Sequence, residues 1–226
     1  MKILIVAATK KEIEPFILSI KIIESINDTY YYGEFNSHEI TISITGIGMV
    51  ATSYFTTKAL SKKYDLAINA GICGSFNKNL EIGDVVNIYE DCFSELGAED
   101  DAIFLTLEEI GLKAVQKISG FQFQVENKII GALPKINGIT VNKIHGNEKS
   151  IEAVYDKFHP YVESMEGAAF MFVCEKENIP FLQIRAVSNY VEKRNKNNWN
   201  IPLAIKNLNE KIIEVIDSIQ QPLTPP

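Results

Sequence analysis

Five side chains in this 226-residue chain have types and positions suited to polar chemistry: Glu12, His145, Glu166, Arg185 and Asn189. Glu12 lies one turn into a helix-like segment, where the helix N-terminus favours a carboxylate whatever its task; Glu14 is a rival in the same segment. Glu166 belongs to Ser164-Met165-Glu166-Gly167-Ala168-Ala169, the first turn of a helix whose small residues permit close packing. One carboxylate there can accept hydrogen bonds from two adjacent hydroxyls, so a diol is a fitting ligand. Arg185 and Asn189 stand four apart in an extended segment and so share a face, which lets both look toward one cavity. A buried guanidinium needs an acidic partner, and Glu12 and Glu166 are the candidates. Taken singly, each feature also fits a structural role: a dipole-favoured glutamate, an Arg–Glu pair, an Asn in a turn.

The elements that position these residues alternate along the chain. Residues 2–8 are an apolar run that reads as a strand buried on both faces. Thr9 then caps a helix with Ile13, Phe16, Ile17 and Ile20 on one side. Strands follow at 29–35 and 39–45, and Gly46-Ile47-Gly48 leads into a helix that begins at Met49. A strand over 65–70 ends in the glycine cluster Gly71-Ile72-Cys73-Gly74-Ser75, read as a strand-to-loop turn, and another strand covers 83–91. Residues 92–137 have no clear period and suggest a loop-rich excursion with one short strand. Beyond them come a strand at 138–144, a helix at 148–157, a short strand at 161–163, a helix opened by Ser164, and a strand at 181–187 that breaks into a loop at Ser188-Asn189. An amphipathic helix over 203–219 closes the pattern.

This order predicts an α/β fold, a three-layer sandwich with a central mixed, largely parallel sheet. Residues 1–219 would form one domain, and 220–226 a flexible tail. Ligands of such sheets bind outside the carboxyl ends of the strands. Glu12, both glycine clusters, His145 and Ser188-Asn189 all fall there, so one pocket can collect them. Neither glycine cluster is GxGxxG or a P-loop. Glycines at such turns let backbone N–H groups approach a ligand, and the first cluster opens a helix N-terminus suited to an anion.

Composition narrows the classes. The net charge is -7, and the only basic run is Lys193–Lys196, which argues against a nucleic-acid surface. The three isolated cysteines suit a reducing cytosol, and three scattered histidines do not suggest a metal site. The apolar opening is too short for a signal peptide or membrane span, so a cytoplasmic location is expected.

"MKILIVAATKKEIE", "INAGICGS", "ESMEGAAF" and "IRAVSNY", in this order, resemble the purine nucleoside phosphorylase and uridine phosphorylase superfamily. Within it they are most similar to the hydrolases, methylthioadenosine/S-adenosylhomocysteine nucleosidase and futalosine hydrolase. The resemblance spans nearly the whole chain and is weakest over 92–137. It implies a homodimer or higher homo-oligomer that cleaves the N-glycosidic bond of a small purine nucleoside without metal or cofactor, and binds neither nucleic acid nor membrane. It implies that Glu12, helped by Arg185, activates the attacking water, that Met165 packs against the sugar, and that Glu166 holds the ribose hydroxyls. Ile72, Cys73, Gly74, His145, Ser164 and Trp199 would complete the substrate wall.

Two departures carry information. Ile72 stands where nucleosidase relatives tend to place a serine near the water. Asn189 stands where the adenine-specific enzymes carry an aspartate facing the base. A carboxylate would oppose the O6 of hypoxanthine, whereas an amide offers an NH₂ to O6 and a carbonyl to N7–H. The amide therefore points to a 6-oxopurine nucleoside, and within this superfamily to futalosine, whose hydrolysis to hypoxanthine and dehypoxanthinyl futalosine is a step in one route to menaquinone. "SNYVEKRNKNNWNIP" fits that pattern too, with Arg194 and Trp199 as candidates for the outer pocket. No basic phosphate-binding residue is evident in the first glycine loop. Methylthioadenosine, S-adenosylhomocysteine or another purine nucleoside is the alternative substrate. A nucleoside-binding protein without catalysis is the alternative of a different class.

Overall fold

A computed structural model describes residues 1–119 and 127–219. The proposed tail, 220–226, lies outside the described residues. The strands are β1 Lys2–Ala7, β2 Lys21–Ile26, β3 Tyr30–Phe35, β4 His38–Ile44, β5 Leu66–Ser75, β6 Val85–Phe93, β7 Gly97–Asp100, β8 Ile103–Thr106, β9 Lys117–Ile118, β10 Lys135–Thr140, β11 Val162–Ser164 and β12 Phe181–Tyr190. The α-helices are α1 Lys10–Ser19, α2 Met49–Ala59, α3 Lys128–Ala132, α4 Glu148–Phe158, α5 Gly167–Lys176 and α6 Ile201–Ser218.

The sheet is mixed, in the order β11-β10-β6-β12-β5-β1-β4-β3-β2, with β9 on β6 and β7-β8 as a separate hairpin. Its centre, β12-β5-β1-β4, is parallel, and the β2-β3-β4 end is antiparallel. β11 pairs with β10 and also with β5, so one half of the sheet closes on itself. The central strands carry the continuous apolar runs expected of strands covered on both faces. On one face Ile3, Ile5, Ile68 and Ile184 pack with Ile13, Phe16 and Ile17 of α1 and Leu208, Ile212 and Val215 of α6. On the other, Leu4, Val6 and Ala67 pack with Ala59 of α2 and Ala168, Phe170 and Met171 of α5. Three layers result, as the alternation predicts.

Three expectations need correction. Gly71–Ser75 is not a turn: β5 continues through it to Ser75, paired with β12 on one side and, at Gly74 and Ser75, with β11 on the other. Glycine is used there for close approach rather than for a bend. β12 likewise does not stop at Val187 but runs through Asn189 to Tyr190, with Ser188 inserted as a bulge. The region 92–137 holds β7, β8, β9 and α3 among its described residues, more order than a loop-rich excursion.

Candidate active site

At the carboxyl ends of β1, β5, β11 and β12 lies a cavity of about 390 Å³. Glu12, Ile72, Cys73, Gly74, His145, Ser164, Met165, Glu166, Asn189 and Trp199, all expected at the site, lie on its wall. Arg185 does not. It is the largest side chain that is wholly buried, and it sits behind the wall.

Glu12 is fixed by the first turn of α1. One carboxylate oxygen accepts from the backbone N–H of Thr9 at 3.0 Å and from its hydroxyl at 2.8 Å. The other accepts from the N–H of Ile72 at 3.2 Å, across to β5. This reciprocal capping arrangement with Thr9 holds the carboxylate at the cavity although only 8 % of the residue is exposed. Glu14 is exposed and away from the cavity, which removes it as a rival. The serine missing at position 72 matters less than its side chain suggests, because it is the backbone of Ile72 that reaches Glu12.

Glu166 is the N-cap residue of α5 rather than part of its first turn. One oxygen accepts from the N–H of Gly48 at 3.1 Å, so the helix N-terminus opened by Gly46-Ile47-Gly48 is directed at a protein carboxylate. Gly48 holds a φ of 95°, which glycine adopts without steric cost. Burial pushes the Glu166 carboxyl above the usual carboxylate range, against the pull of Arg185 and of the Gly48 N–H.

Arg185 explains both glutamates. Its Nη2 donates to Oδ1 of Asn69, whose own Nδ2 donates to the Val6 carbonyl at 3.0 Å, and lies 3.8 Å from Glu166. The other arm of the guanidinium crosses the α-carbon of Gly71: a β-carbon there would lie 2.0 Å from Nη1 and 3.2 Å from the Glu12 carboxylate. Position 71 must therefore be glycine for Arg185 to keep this place. The expectation that Arg185 and Asn189 share a face fails because of the bulge. Arg185 pairs with Gly71 and Asn189 with Gly74, so four residues of β12 span three of β5, and the bulge re-aims the amide into the cavity.

At the other end, Asn189 Oδ1 accepts from the Ser188 hydroxyl at 2.8 Å and Nδ2 donates to the Tyr190 carbonyl at 2.9 Å. One N–H and one oxygen lone pair of the amide are left for a ligand. Gly74 gives the amide its space, since a β-carbon there would meet Nδ2 at 3.2 Å. Cys73 is not a nucleophile: burial pushes its thiol up to about 12, and its Sγ faces the Ala186 carbonyl. Ser164 accepts from the Gly167 N–H, helping to start α5. Trp199 lies under the Arg194 guanidinium at 5.2 Å, on the outer rim.

The sequence reading missed Asn69 and Glu163. For Asn69 the signal was present, a polar residue inside an apolar strand; for Glu163, in a three-residue strand, it was not. Glu163, in the short strand β11, accepts from the backbone N–H of His145 at 3.0 Å and lies 2.6 Å from its Nδ1. Among the described residues no cluster of His, Cys, Asp and Glu suits a metal, and no helix is long and apolar enough to cross a membrane.

Comparison with known proteins follows the same outline. The family model "Phosphorylase superfamily" matches residues 2–219. An aminodeoxyfutalosine nucleosidase of Campylobacter jejuni is 27% identical over 199 residues, 84% of this chain and 86% of that protein. A 5'-methylthioadenosine/S-adenosylhomocysteine nucleosidase of Glaesserella parasuis is 25% identical over 237 residues, 96% of this chain and 99% of that protein. The solved futalosine hydrolase of Helicobacter pylori has the same fold, with a TM-score of 0.80, 17% identity, and coverage of 97% and 98% of the two chains.

Proposed function

The chain belongs to the phosphorylase superfamily, and from that premise we propose that its cavity hydrolyses the N-glycosidic bond of futalosine, releasing hypoxanthine. Nucleosidase action on purine nucleosides is supported by both curated relatives. The finer choice rests on one observation: an amide, Asn189, lines the cavity with an N–H to spare.

The reaction breaks C1′–N9 through an oxocarbenium-like sugar. Glu12 takes a proton from the attacking water, and its second oxygen is held by the Ile72 N–H. Glu166 receives the ribose hydroxyls, and Met165 lies against the sugar. Arg185 acts from behind as a positioning residue, keeping the two carboxylates apart without touching substrate. Asn189 gives its free N–H to O6 of the base, and a 6-amino group at that point would leave it facing a donor. A site built to hydrogen-bond one exocyclic group can reject the other by ~10⁴-fold. Arg194 and Trp199 supply a cationic, aromatic rim for the carboxylated benzoyl end of futalosine.

The second reading, methylthioadenosine or S-adenosylhomocysteine as substrate, is favoured by the near-complete overlap with the Glaesserella parasuis enzyme. Incubation without phosphate with futalosine, inosine, methylthioadenosine and S-adenosylhomocysteine, each alone, separates the readings by the base released. Hypoxanthine from futalosine is the expected product, and adenine from methylthioadenosine would overturn the choice made on Asn189. No base from any of them, with tight binding retained, would mean an inert binder; turnover only on adding phosphate would mean a phosphorylase. The working form proposed is a homodimer: Ile47 lines the cavity yet is 62% exposed, and Val50 and Tyr54 of α2 are 84% and 60% exposed.

A further inference from the structure

The proposed chemistry leaves one atom unassigned. A departing purine must gain a proton, and the amide of Asn189 has no acidic proton to give. The structure places a buried ionisable pair beside it. Glu163 is 4% exposed, and both its oxygens are committed to His145, one to the backbone N–H and one to Nδ1. Its strand runs antiparallel to β5 with Glu163 opposite Gly74. Over that α-carbon, a β-carbon would lie 3.2 Å from Asn189 Nδ2 and 3.6 Å from Glu163 Cγ, so acid and amide flank the same point of the wall. His145 lines the cavity, and no group among the described residues bonds its Nε2. A carboxylate that takes Nδ1–H fixes the ring and leaves Nε2 as the working nitrogen.

We propose that His145, held by Glu163, is the general acid that protonates the leaving purine; this rests on the nucleosidase reading above. As C1′–N9 breaks, its electron pair passes into the purine, and the imidazolium Nε2–H moves to N7 while Asn189 keeps O6. Water adds to C1′ and yields its proton to Glu12. Solvent then carries that proton from Glu12 back to His145, so the net reaction is nucleoside plus water to sugar plus purine. The charged groups that line the cavity with His145 are Glu163 from β11, Lys11 and Glu12 from α1, Glu166 at the start of α5 and, from the segment after β12, Glu192 and Arg194. Phe76 lies between the ring and Tyr155 of α4.

The test uses futalosine and its N7-methylated analogue, whose cationic base leaves without a proton. His145→Gln is expected to slow release from futalosine by about 10²-fold or more, to abolish the alkaline limb of the kcat–pH profile, and to leave the methylated substrate within a few-fold of wild type. Glu163→Gln should slow release from futalosine while sparing the methylated substrate in the same way, because the ring loses the carboxylate that fixes it. Equal losses on both substrates, or a limb unchanged in His145→Gln, would overturn the assignment. Wild-type turnover reports separately on the underlying reading. Should wild type prefer an adenine nucleoside, the choice of substrate fails, while the same ratio on that nucleoside and its N7-methyl form still decides the acid. A wild-type protein silent on every nucleoside removes both.

Discussion

Replacing Gly71 by alanine tests how the site is wired, because the structure sets the size of the insult. The added β-carbon would lie 2.0 Å from Arg185 Nη1, so the guanidinium must retreat by about 1.4 Å to reach ordinary contact. It has nowhere to go without leaving Asn69, because the side chain is wholly buried. Losing a hydrogen bond to a charged group costs about 1.5–3 kcal/mol, and overpacking a filled site adds about 1–3 kcal/mol. Gly71→Ala should therefore destabilise by about 2.5–6 kcal/mol in urea or guanidinium melts. Gly131→Ala is the control, since an added β-carbon meets nothing within 4 Å and the position is helical. Base release by the folded fraction of Gly71→Ala should also fall sharply, because the shifted guanidinium intrudes on Glu12. A loss of less than about 1 kcal/mol, or full turnover at native stability, would refute the account of Arg185 as a fixed group packed over Gly71.

Other perturbations separate the remaining roles. Glu12→Gln keeps a capping side chain at the third helical position, so the melting temperature should hold while turnover drops by about 10²–10⁴-fold; near-normal turnover would take water activation away from this residue. Asn189→Asp should move selectivity from hypoxanthine release toward adenine release by about a hundredfold or more, measured as the ratio of kcat/KM on futalosine and methylthioadenosine, and an unchanged ratio would sink the amide argument. Burial raises the Asp91 carboxyl to about 6, against hydrogen bonds from Gln183, Thr140 and the Cys92 N–H. The folded value exceeds the unfolded one of 3.8, so the stability it contributes is complete below about pH 3.8 and lost as pH rises through about 6, a swing of about 3 kcal/mol. Between pH 4 and pH 7, Asp91→Asn should gain about that much on wild type in denaturant melts, and a constant gap would contradict it.

The layers of this fold were legible because its core strands are apolar on both faces and α1, α4 and α6 keep a 3.6-residue apolar period. β1, α1, α2, α4 and α6 stand close to where those patterns put them. The edge strand β2 was not legible: all six of its residues are exposed, so it has no buried face to imprint a pattern. Gly71 and Gly74 misled for a different reason. Glycine is ambiguous between a bend and a close approach, and only the position of Arg185 and Asn189 across the sheet decides it. The bulge at Ser188 left no mark in composition, yet it determines which way Asn189 points. Glu163 was hidden by its brevity of context, a three-residue strand whose one carboxylate looks like an edge charge until His145 folds over it.

The arrangement also explains why a chain would bring two acids to one cavity wall with an arginine behind it. Neither Glu12 nor Glu166 depends on Arg185 alone for its charge. Glu12 takes hydrogen bonds from Thr9 and Ile72, and Glu166 from Gly48 at the start of α2. Those donors are mostly backbone N–H groups of three different segments, the starts of α1 and α2 and the interior of β5, so the carboxylates are held by the fold itself rather than by mobile side chains. Arg185, tied to Asn69, lies 3.8 Å from Glu166 and draws its carboxyl down, while Glu12 pushes it up. On the proposed mechanism, a sugar developing positive charge between two carboxylates so fixed would be stabilised without reorganisation, while a neutral ground-state sugar would gain little from them, so the rate enhancement would come from that difference and not from substrate affinity. By this argument, loosening the donors at Gly48 or Thr9 should lower kcat more than it raises KM, and the effect on KM should be confined to substitutions at the Asn189 end.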